Sequence, residues 1–188
     1  MNQNILINNL VKVKNKEYEL AKNIFLVLSG TIFIALMSQL TIPLPYVPIT
    51  GQTLAVMLIG LAYGRKLGTS TLLSYITAGS VGLPVFANFK SGLPFLFPSG
   101  GYVIGFLFAA MICGYFADKG WTKSYVKLIP VLVLAHFVLY FFGLIQLAIF
   151  LPGKDILAIG LIPFIIGDII KMVLMTLLLP FVWKFVKE

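Results

Sequence analysis

Two opposite charges, Asp168 and Lys171, lie three residues apart inside the last apolar run of the sequence. A carboxylate or an ammonium group in hydrocarbon costs about 2.5–3.5 kcal/mol on the insertion scale. The spacing puts both groups on one face of a helix, where they could merely neutralise each other. They could instead point into a helix bundle and engage a polar ligand, with Gly167 allowing a close approach. We favour the ligand, because intramembrane ionisable groups usually mark a substrate site.

Other polar residues are expected at the same membrane depth as this pair. Gln52 and Thr53 open one apolar run, Tyr102 opens another, and Asn88 lies in an apolar loop. Two further polar residues, His136 and Gln146, lie inside an apolar run and are more typical of helix–helix hydrogen bonds.

Motifs of enzymatic chemistry are absent from the sequence. It contains neither H-E-x-x-H nor G-x-S-x-G, and it has one histidine and one cysteine. The stretch 64–70 is similar to a phosphate-binding loop but lacks the lysine between the second glycine and the hydroxyl residue. We therefore predict no enzyme, no metal and no cofactor, and any ATP used in transport must be bound by another subunit.

The composition is that of a membrane protein. Of the 188 residues, 60% are apolar and only 11% are charged, with a mean hydropathy of +1.01. A soluble domain has about 25% charged residues. This excludes a soluble domain and a disordered chain. We also expect no nucleic acid as a partner. The cations behind the net charge of +8 are concentrated in the segments on one side of the predicted spans, as the positive-inside rule describes for membrane proteins.

Six apolar runs predict six membrane-spanning helices, and each crossing needs roughly 20 residues. The second run has 11 residues, about 17 Å of helix, and is too short to cross alone. The predicted spans are 24–40, 53–63, 67–83, 102–117, 128–151 and 161–185. We divide the chain into an N-terminal segment, 1–23, and a membrane domain, 24–188. The segment 1–23 could lie on the membrane surface as an interfacial helix or form a frayed tail.

The cations orient these helices. With a cytoplasmic N-terminus, eleven of the fourteen cations lie inside, while only Lys90 and Lys154 lie outside. The positive-inside rule thus places both termini in the cytoplasm. The inside cations are Lys12, Lys14, Lys16, Lys22, Arg65, Lys66, Lys119, Lys123, Lys127, Lys184 and Lys187.

Two outer loops, 43–52 and 84–101, are apolar and rich in proline and glycine. Irregular backbone cannot face lipid with its N–H and C=O groups unpaired. The loops could be stiff connectors, but two of them on one side of the membrane favour a cover over a ligand pocket.

The chain resembles the BioY family of biotin-uptake proteins from the first span to the end. The matching segments, in order, are IPLP (42–45), VPITGQTLAV (47–56), GLPVFA (82–87), PSGGYVIGF (98–106) and IPFIIGDIIK (162–171). The family often has threonine where Ser99 stands and leucine where Gly51 stands.

The resemblance implies an all-α, six-helix S-component of an energy-coupling factor transporter in a prokaryotic cell membrane. Such a protein binds biotin, as transported ligand, at its outer face. Its partners are a transmembrane coupling subunit and two cytoplasmic ATPases, and it is thought to topple in the membrane to deliver the vitamin. S-components dock through small residues at four-residue spacing on the first helix. The corresponding positions here are Gly30, Ile34 and Ser38, of which Ile34 is bulky.

Biotin has a ureido ring with two N–H donors and one carbonyl, an apolar ring and a carboxylate. Asp168 can accept a ureido N–H, Asn88 or Gln52 can pair with the rest of the ureido group, and Lys171 can bind the ureido oxygen or keep Asp168 ionised. The biotin carboxylate could be bound by Lys90, by a hydroxyl or by loop N–H groups, and the sequence does not distinguish these alternatives. The predicted ligand-binding residues are Asp168, Lys171, Asn88, Tyr102, Gln52, Phe86, Gly100 and Gly101. The alternatives are another vitamin, a stand-alone small-solute carrier and, least favoured, a membrane enzyme.

Overall fold

The structure is a computed structural model that describes residues 3–11 and 16–186. Its helices are α1 (Leu6–Leu10), α2 (Lys16–Gln39), α3 (Gln52–Ser80), α4 (Gly100–Asp118), α5 (Tyr125–Phe150), α6 (Ile156–Gly160) and α7 (Ile162–Val186). Two short strands, β1 (Thr41–Ile42) and β2 (Ile49–Thr50), pair antiparallel in the first outer loop. Turns of 3-10 helix lie at Ala87–Phe89, Pro94–Leu96 and Trp121–Lys123.

The helix α3 is broken at Gly64, whose φ of 75° and ψ of 179° are non-helical. The break separates two antiparallel halves, 52–63 and 65–80, which are the second and third predicted spans. With α2, α4, α5 and α7 they make six helical crossings, as the sequence predicts. The bounds differ mainly at the first crossing, since α2 begins at Lys16 and runs through the predicted boundary at residue 23.

Four stretches of the described chain are long and apolar enough to span a membrane: Tyr18–Gln39, Gly100–Asp118, Tyr125–Phe150 and Ile156–Val186. The two halves of α3 are shorter and lie in the middle of the bundle, packed against α2 and α4. Ala55, Val56, Met57 and Leu72 on these halves are fully buried. The short second span therefore packs against protein rather than crossing lipid alone.

One end of the bundle gathers the segments that the cations placed in the cytoplasm. The Asn4 amide donates to the Asp118 carbonyl (3.3 Å), and Lys123 Nζ donates to Asn4 Oδ1 (2.8 Å). Trp183 Nε1 donates to Thr122 Oγ1 (3.0 Å), which brings the end of α7 to the same place. Both ends of the described chain therefore lie on one side, in agreement with the predicted topology.

The N-terminal residues 3–11 pack on this same end of the bundle. Leu6 of α1 is 5% exposed, and Ile5 lies beside Gly64. A frayed tail is therefore excluded for residues 3–11, whereas Leu10 and Val11 remain exposed, as on an interfacial helix. The division of the chain at residue 23 stays a prediction.

Replacing Gly64 with alanine is expected to destabilise the bundle by about 1–3 kcal/mol, because its backbone conformation is essentially restricted to glycine. A Cβ there would also lie 2.8 Å from Ile5 Cδ1. The thermal unfolding midpoint in detergent measures this loss. Gly167→Ala is the matched control, since Gly167 is helical and no atom lies within 4 Å of its added Cβ. Equal midpoints for the two variants would contradict the prediction.

Candidate functional site

A cavity lies at the outer end of the bundle, beneath the two predicted loops. Its volume is about 660 Å³ when the part open to solvent is included. Both loops and four helices contribute to its walls, so these loops form a cover, as predicted. The lining residues are Val47, Pro48, Thr50, Gln52, Thr53, Phe86, Ala87, Lys90, Phe97, Ser99, Tyr102, Val103, Phe106, Leu139, Tyr140, Phe164 and Asp168.

The only carboxylate in this lining, Asp168, is 5% exposed and held by donors from two helices. Lys171 Nζ lies 3.0 Å from Asp168 Oδ1, and the Tyr140 hydroxyl on α5 donates to Asp168 Oδ2. Lys171 Nζ also donates to the Thr50 carbonyl at 3.0 Å, which ties α7 to the first outer loop. Lys171 is therefore the ion-pair partner of Asp168 and also connects it to the first outer loop.

His136 lies next to this carboxylate. Its Nδ1 is 2.8 Å from the Leu132 carbonyl oxygen, so the Nδ1 proton donates within α5 rather than to another helix. Its Nε2 is buried, 3.9 Å from Asp168 Oδ2, and has no hydrogen-bond partner among the described residues. The helix–helix hydrogen bond expected for His136 is therefore not formed, and the imidazole belongs to the surroundings of Asp168.

Gln52 lines the cavity from the start of α3. Its amide nitrogen donates to the Tyr75 hydroxyl, and that hydroxyl donates to the Val85 carbonyl at 3.0 Å. The same carbonyl accepts from Ser38 Oγ at 2.7 Å. Buried side chains from α2 and α3 thereby fix the start of the second outer loop.

The aromatic residues Phe86 and Tyr102 complete the walls. The Phe86 ring is 2% exposed and packs 5.4 Å from Tyr75 and 6.0 Å from Phe97, centroid to centroid. The Tyr102 ring lies 6.3 Å from Tyr140, and its hydroxyl donates to the Gly160 carbonyl at 2.7 Å. The Tyr102 hydroxyl is thus bonded to the end of α6, while its ring lines the cavity.

Asn88 does not line the cavity, in contrast to its predicted role. Its φ of 58° is left-handed, its side chain is exposed, and its Oδ1 accepts from Thr41 Oγ1 at 3.1 Å. This hydrogen bond joins the two outer loops on their solvent side. A left-handed turn residue reverses the direction of its side chain, which the sequence pattern does not reveal.

Gly100 and Gly101 also stay outside the cavity lining, where the sequence predicted ligand contacts. A Cβ on Gly100 would overlap the Pro94 carbonyl oxygen, and one on Gly101 would overlap the Phe142 carbonyl. Their role in the structure is to let the second loop and α5 approach the start of α4. Gly167, expected to permit a close approach, has open space where its Cβ would stand.

The predicted docking face on the first helix is not accessible to a partner. Ile34 and Ser38 are fully buried, and a Cβ on Gly30 would lie 2.8 Å from Thr71 Cγ2 of α3. The small residues at this spacing therefore serve packing of α2 on α3 within the chain, so the structure does not support Gly30, Ile34 and Ser38 as a docking surface.

Tyr140 is the main cavity residue that the sequence prediction missed. It stands four residues after His136 in an otherwise apolar helix, and this spacing places both side chains on one face. This pair of polar residues on one face of α5 is the sequence signal that could have identified Tyr140 as a cavity residue. Ser99, from the matching segment 98–106, also lines the cavity.

Gln146 anchors the end of the second loop instead of joining two helices. Its amide nitrogen donates to the carbonyls of Pro94 and Phe97, both at 2.7 Å. Gln146→Leu is expected to free this loop and to weaken ligand binding by about 1–3 kcal/mol, since two partly buried acceptors lose their donor. Titration of the purified protein measures the change. Ile145→Leu is the control, because Ile145 is half-exposed on the neighbouring position, and equal affinities would remove Gln146 from this role.

A six-helix membrane bundle with an outward cavity, whose lining holds one carboxylate paired with a lysine, is the architecture of a membrane-embedded binding protein for a small solute. The comparisons with known proteins identify the family. The chain belongs to the BioY family, whose family model matches residues 7–188.

Curated relatives and a solved structure agree with this assignment. The chain is 34% identical over 150 residues to the biotin transporter BioY of Thermotoga maritima, covering 79% of this chain and 88% of the relative. It is 36% identical over 155 residues to a probable biotin transporter BioY of Pyrococcus horikoshii, covering 80% and 90%. The crystal structure of an S-component for biotin from an ECF-type ABC transporter matches with a TM-score of 0.77 and 30% identity, covering 92% of this chain and 95% of that one.

Proposed function

We propose that this chain is the biotin-binding S-component of an energy-coupling factor transporter and takes up biotin from the outer side of the membrane. The observation that carries the proposal is Asp168 in the wall of the outer cavity, paired with Lys171 at 3.0 Å. The relatives to which the chain is 34% and 36% identical are a biotin transporter and a probable biotin transporter, which supports the same ligand.

The cavity chemistry supports a ureido ligand. Asp168 already accepts from Lys171 and Tyr140, and a carboxylate offers about four acceptor positions, so it can still accept a ureido N–H. The aromatic residues Phe86, Phe97 and Tyr102 can surround the apolar ring. Gln52 lies on the cavity wall, where its amide can pair with the remaining ureido groups.

Two of the groups considered for the biotin carboxylate, Lys90 and a hydroxyl, have counterparts in the cavity lining. Lys90 is the only cation there, and Ser99 Oγ is a hydroxyl from the same outer loop. Both lie on the second outer loop, whereas Asp168 lies on α7. We infer that biotin binds with its ureido ring at Asp168 and with its valerate chain extending towards the second loop.

The transport partners follow from the proposed class. We infer that the chain works with a transmembrane coupling subunit and two cytoplasmic ATPases in a prokaryotic cell membrane, and that it performs no chemical reaction itself. The polar lining outside Asp168, Lys90 and the tyrosines consists of Thr50, Thr53, Gln52 and Ser99, which suits ligand recognition rather than catalysis.

Binding of labelled biotin to the purified protein, compared with thiamine and riboflavin, tests this proposal directly. We expect saturable biotin binding that the other two vitamins do not displace. Preference for another vitamin would contradict biotin as the ligand. Uptake into vesicles that contain no ATPase would instead indicate a stand-alone carrier.

A further inference from the structure

A second cavity, unrelated to the outer site, opens on the side of the bundle between α4 and α5. Its volume is about 850 Å³ when the part open to the surroundings is included, and it is lined by Arg65, Phe108, Met111, Ile112, Tyr115, Phe116 and Val138. We call it the lateral groove. Apart from Arg65 and the Tyr115 hydroxyl, its lining side chains are apolar, and they face the region that lipid tails occupy.

Two cations stand at the cytoplasmic end of the lateral groove. The Arg65 guanidinium carbon lies 6.0 Å from the centre of the Tyr115 ring, and Lys119 Nζ lies 4.2 Å from the same centre. Both side chains are exposed, and Tyr115 is 41% exposed between them. The two cations therefore lie near the same aromatic ring, and both remain accessible to a further group from outside the protein.

The close approach of α3 to α4 fixes Arg65 in this position. A Cβ on Gly114 would lie 2.6 Å from the Arg65 backbone nitrogen, so only glycine lets the start of the half-helix 65–80 reach α4. Asp118 Oδ1 accepts from the Arg65 backbone N–H at 3.3 Å. Asp118 is an acidic residue beside the two cations, so Arg65, Lys119 and Asp118 together still carry a net positive charge.

The dimensions of the lateral groove match one membrane leaflet. Phe108 and Lys119 are eleven residues apart on and just after α4, about 16 Å along a helix. Half of the hydrocarbon core is about 15 Å thick. A lipid whose phosphate lies at Lys119 would thus extend its acyl chain along the groove to Phe108.

We propose that the lateral groove binds an anionic phospholipid of the cytoplasmic leaflet. Its phosphate is held by Arg65 and Lys119, and one acyl chain packs along Phe108, Ile112 and Val138. Charge complementarity selects the lipid class, because juxtamembrane cations attract anionic headgroups. This site is independent of the outer cavity and of the ligand bound there.

Native mass spectrometry of the full chain in detergent tests the site. The probes are phosphatidylglycerol and phosphatidylcholine with identical acyl chains. We expect the protein to retain phosphatidylglycerol about tenfold or more in preference, and the double variant Arg65→Gln/Lys119→Gln to lose that preference. Unchanged biotin binding by the variant shows that it is folded.

The matched control removes two other cytoplasmic cations. In Lys123→Gln/Lys127→Gln the lost ammonium groups lie over Trp183 and Trp121, outside the lateral groove. We expect this variant to keep the preference for phosphatidylglycerol. An equal loss in both variants indicates a diffuse surface charge and overturns the site, as does equal retention of the two lipids by the unmodified protein.

Discussion

Replacement of Asp168 by asparagine is expected to weaken biotin binding by about 1–3 kcal/mol, which is about 5- to 150-fold in affinity. The amide has nearly the same shape but carries no charge, and only one of its two terminal atoms accepts hydrogen bonds. Its NH₂ group would face a donor, either Lys171 Nζ or the Tyr140 hydroxyl. Fewer acceptors then remain for the ureido N–H.

Titration of the detergent-solubilised variant with biotin measures this effect. Asp155→Asn is the matched control, because Asp155 is an exposed outer-side carboxylate that accepts from the Ala158 N–H at 3.0 Å and lies outside the cavity lining. It should bind biotin with normal affinity. An unchanged affinity of Asp168→Asn would remove Asp168 from the binding site.

Replacement of Lys171 by methionine is expected to lower the free energy of unfolding by about 3–5 kcal/mol, because it leaves a buried carboxylate without its cation. It also removes the 3.0 Å hydrogen bond to the Thr50 carbonyl, which holds the first outer loop over the cavity. We expect both the thermal unfolding midpoint and the biotin affinity to fall. A midpoint equal to that of the unmodified protein would contradict the structural role of the ion pair.

The double variant Asp168→Leu/Lys171→Met separates a structural pair from a ligand-binding pair. Replacing a buried ion pair by apolar side chains is often neutral or stabilising, so the unfolding midpoint is expected to recover. Biotin binding is not expected to recover, since no carboxylate is left to accept the ureido N–H. Recovery of both the unfolding midpoint and biotin binding would mean that Asp168 and Lys171 only neutralise each other and do not bind the ligand.

Several cavity residues could be predicted because their position follows from topology. Asp168, Gln52, Tyr102 and Phe86 all lie near the outer ends of predicted spans, and the structure places all four in one lining. The cost of burying polar groups in hydrocarbon makes such exceptions informative. Tyr140 escaped notice because a tyrosine at mid-helix is also an ordinary core residue.

Other expectations failed where one sequence pattern serves two purposes. Small residues at four-residue spacing suit docking to a partner and packing within the chain equally well, and Gly30 and Ser38 do the latter. Likewise the glycines 100 and 101 could have admitted a ligand, but they admit the backbone of Pro94 and Phe142. Only the neighbours present in the folded chain distinguish such cases.

The sequence by itself determined the membrane location, the six crossings, the placement of both ends of the described chain on one side of the bundle, and the family. Each of these depends on properties that are local along the chain, namely apolar length, charge distribution and motif order. The tertiary structure decided which side chains meet: Tyr140 and His136 beside Asp168, Thr50 on Lys171, and Asn88 turned outwards. These contacts join residues up to 121 positions apart, and their geometry depends on helix packing and loop conformation rather than on any local pattern.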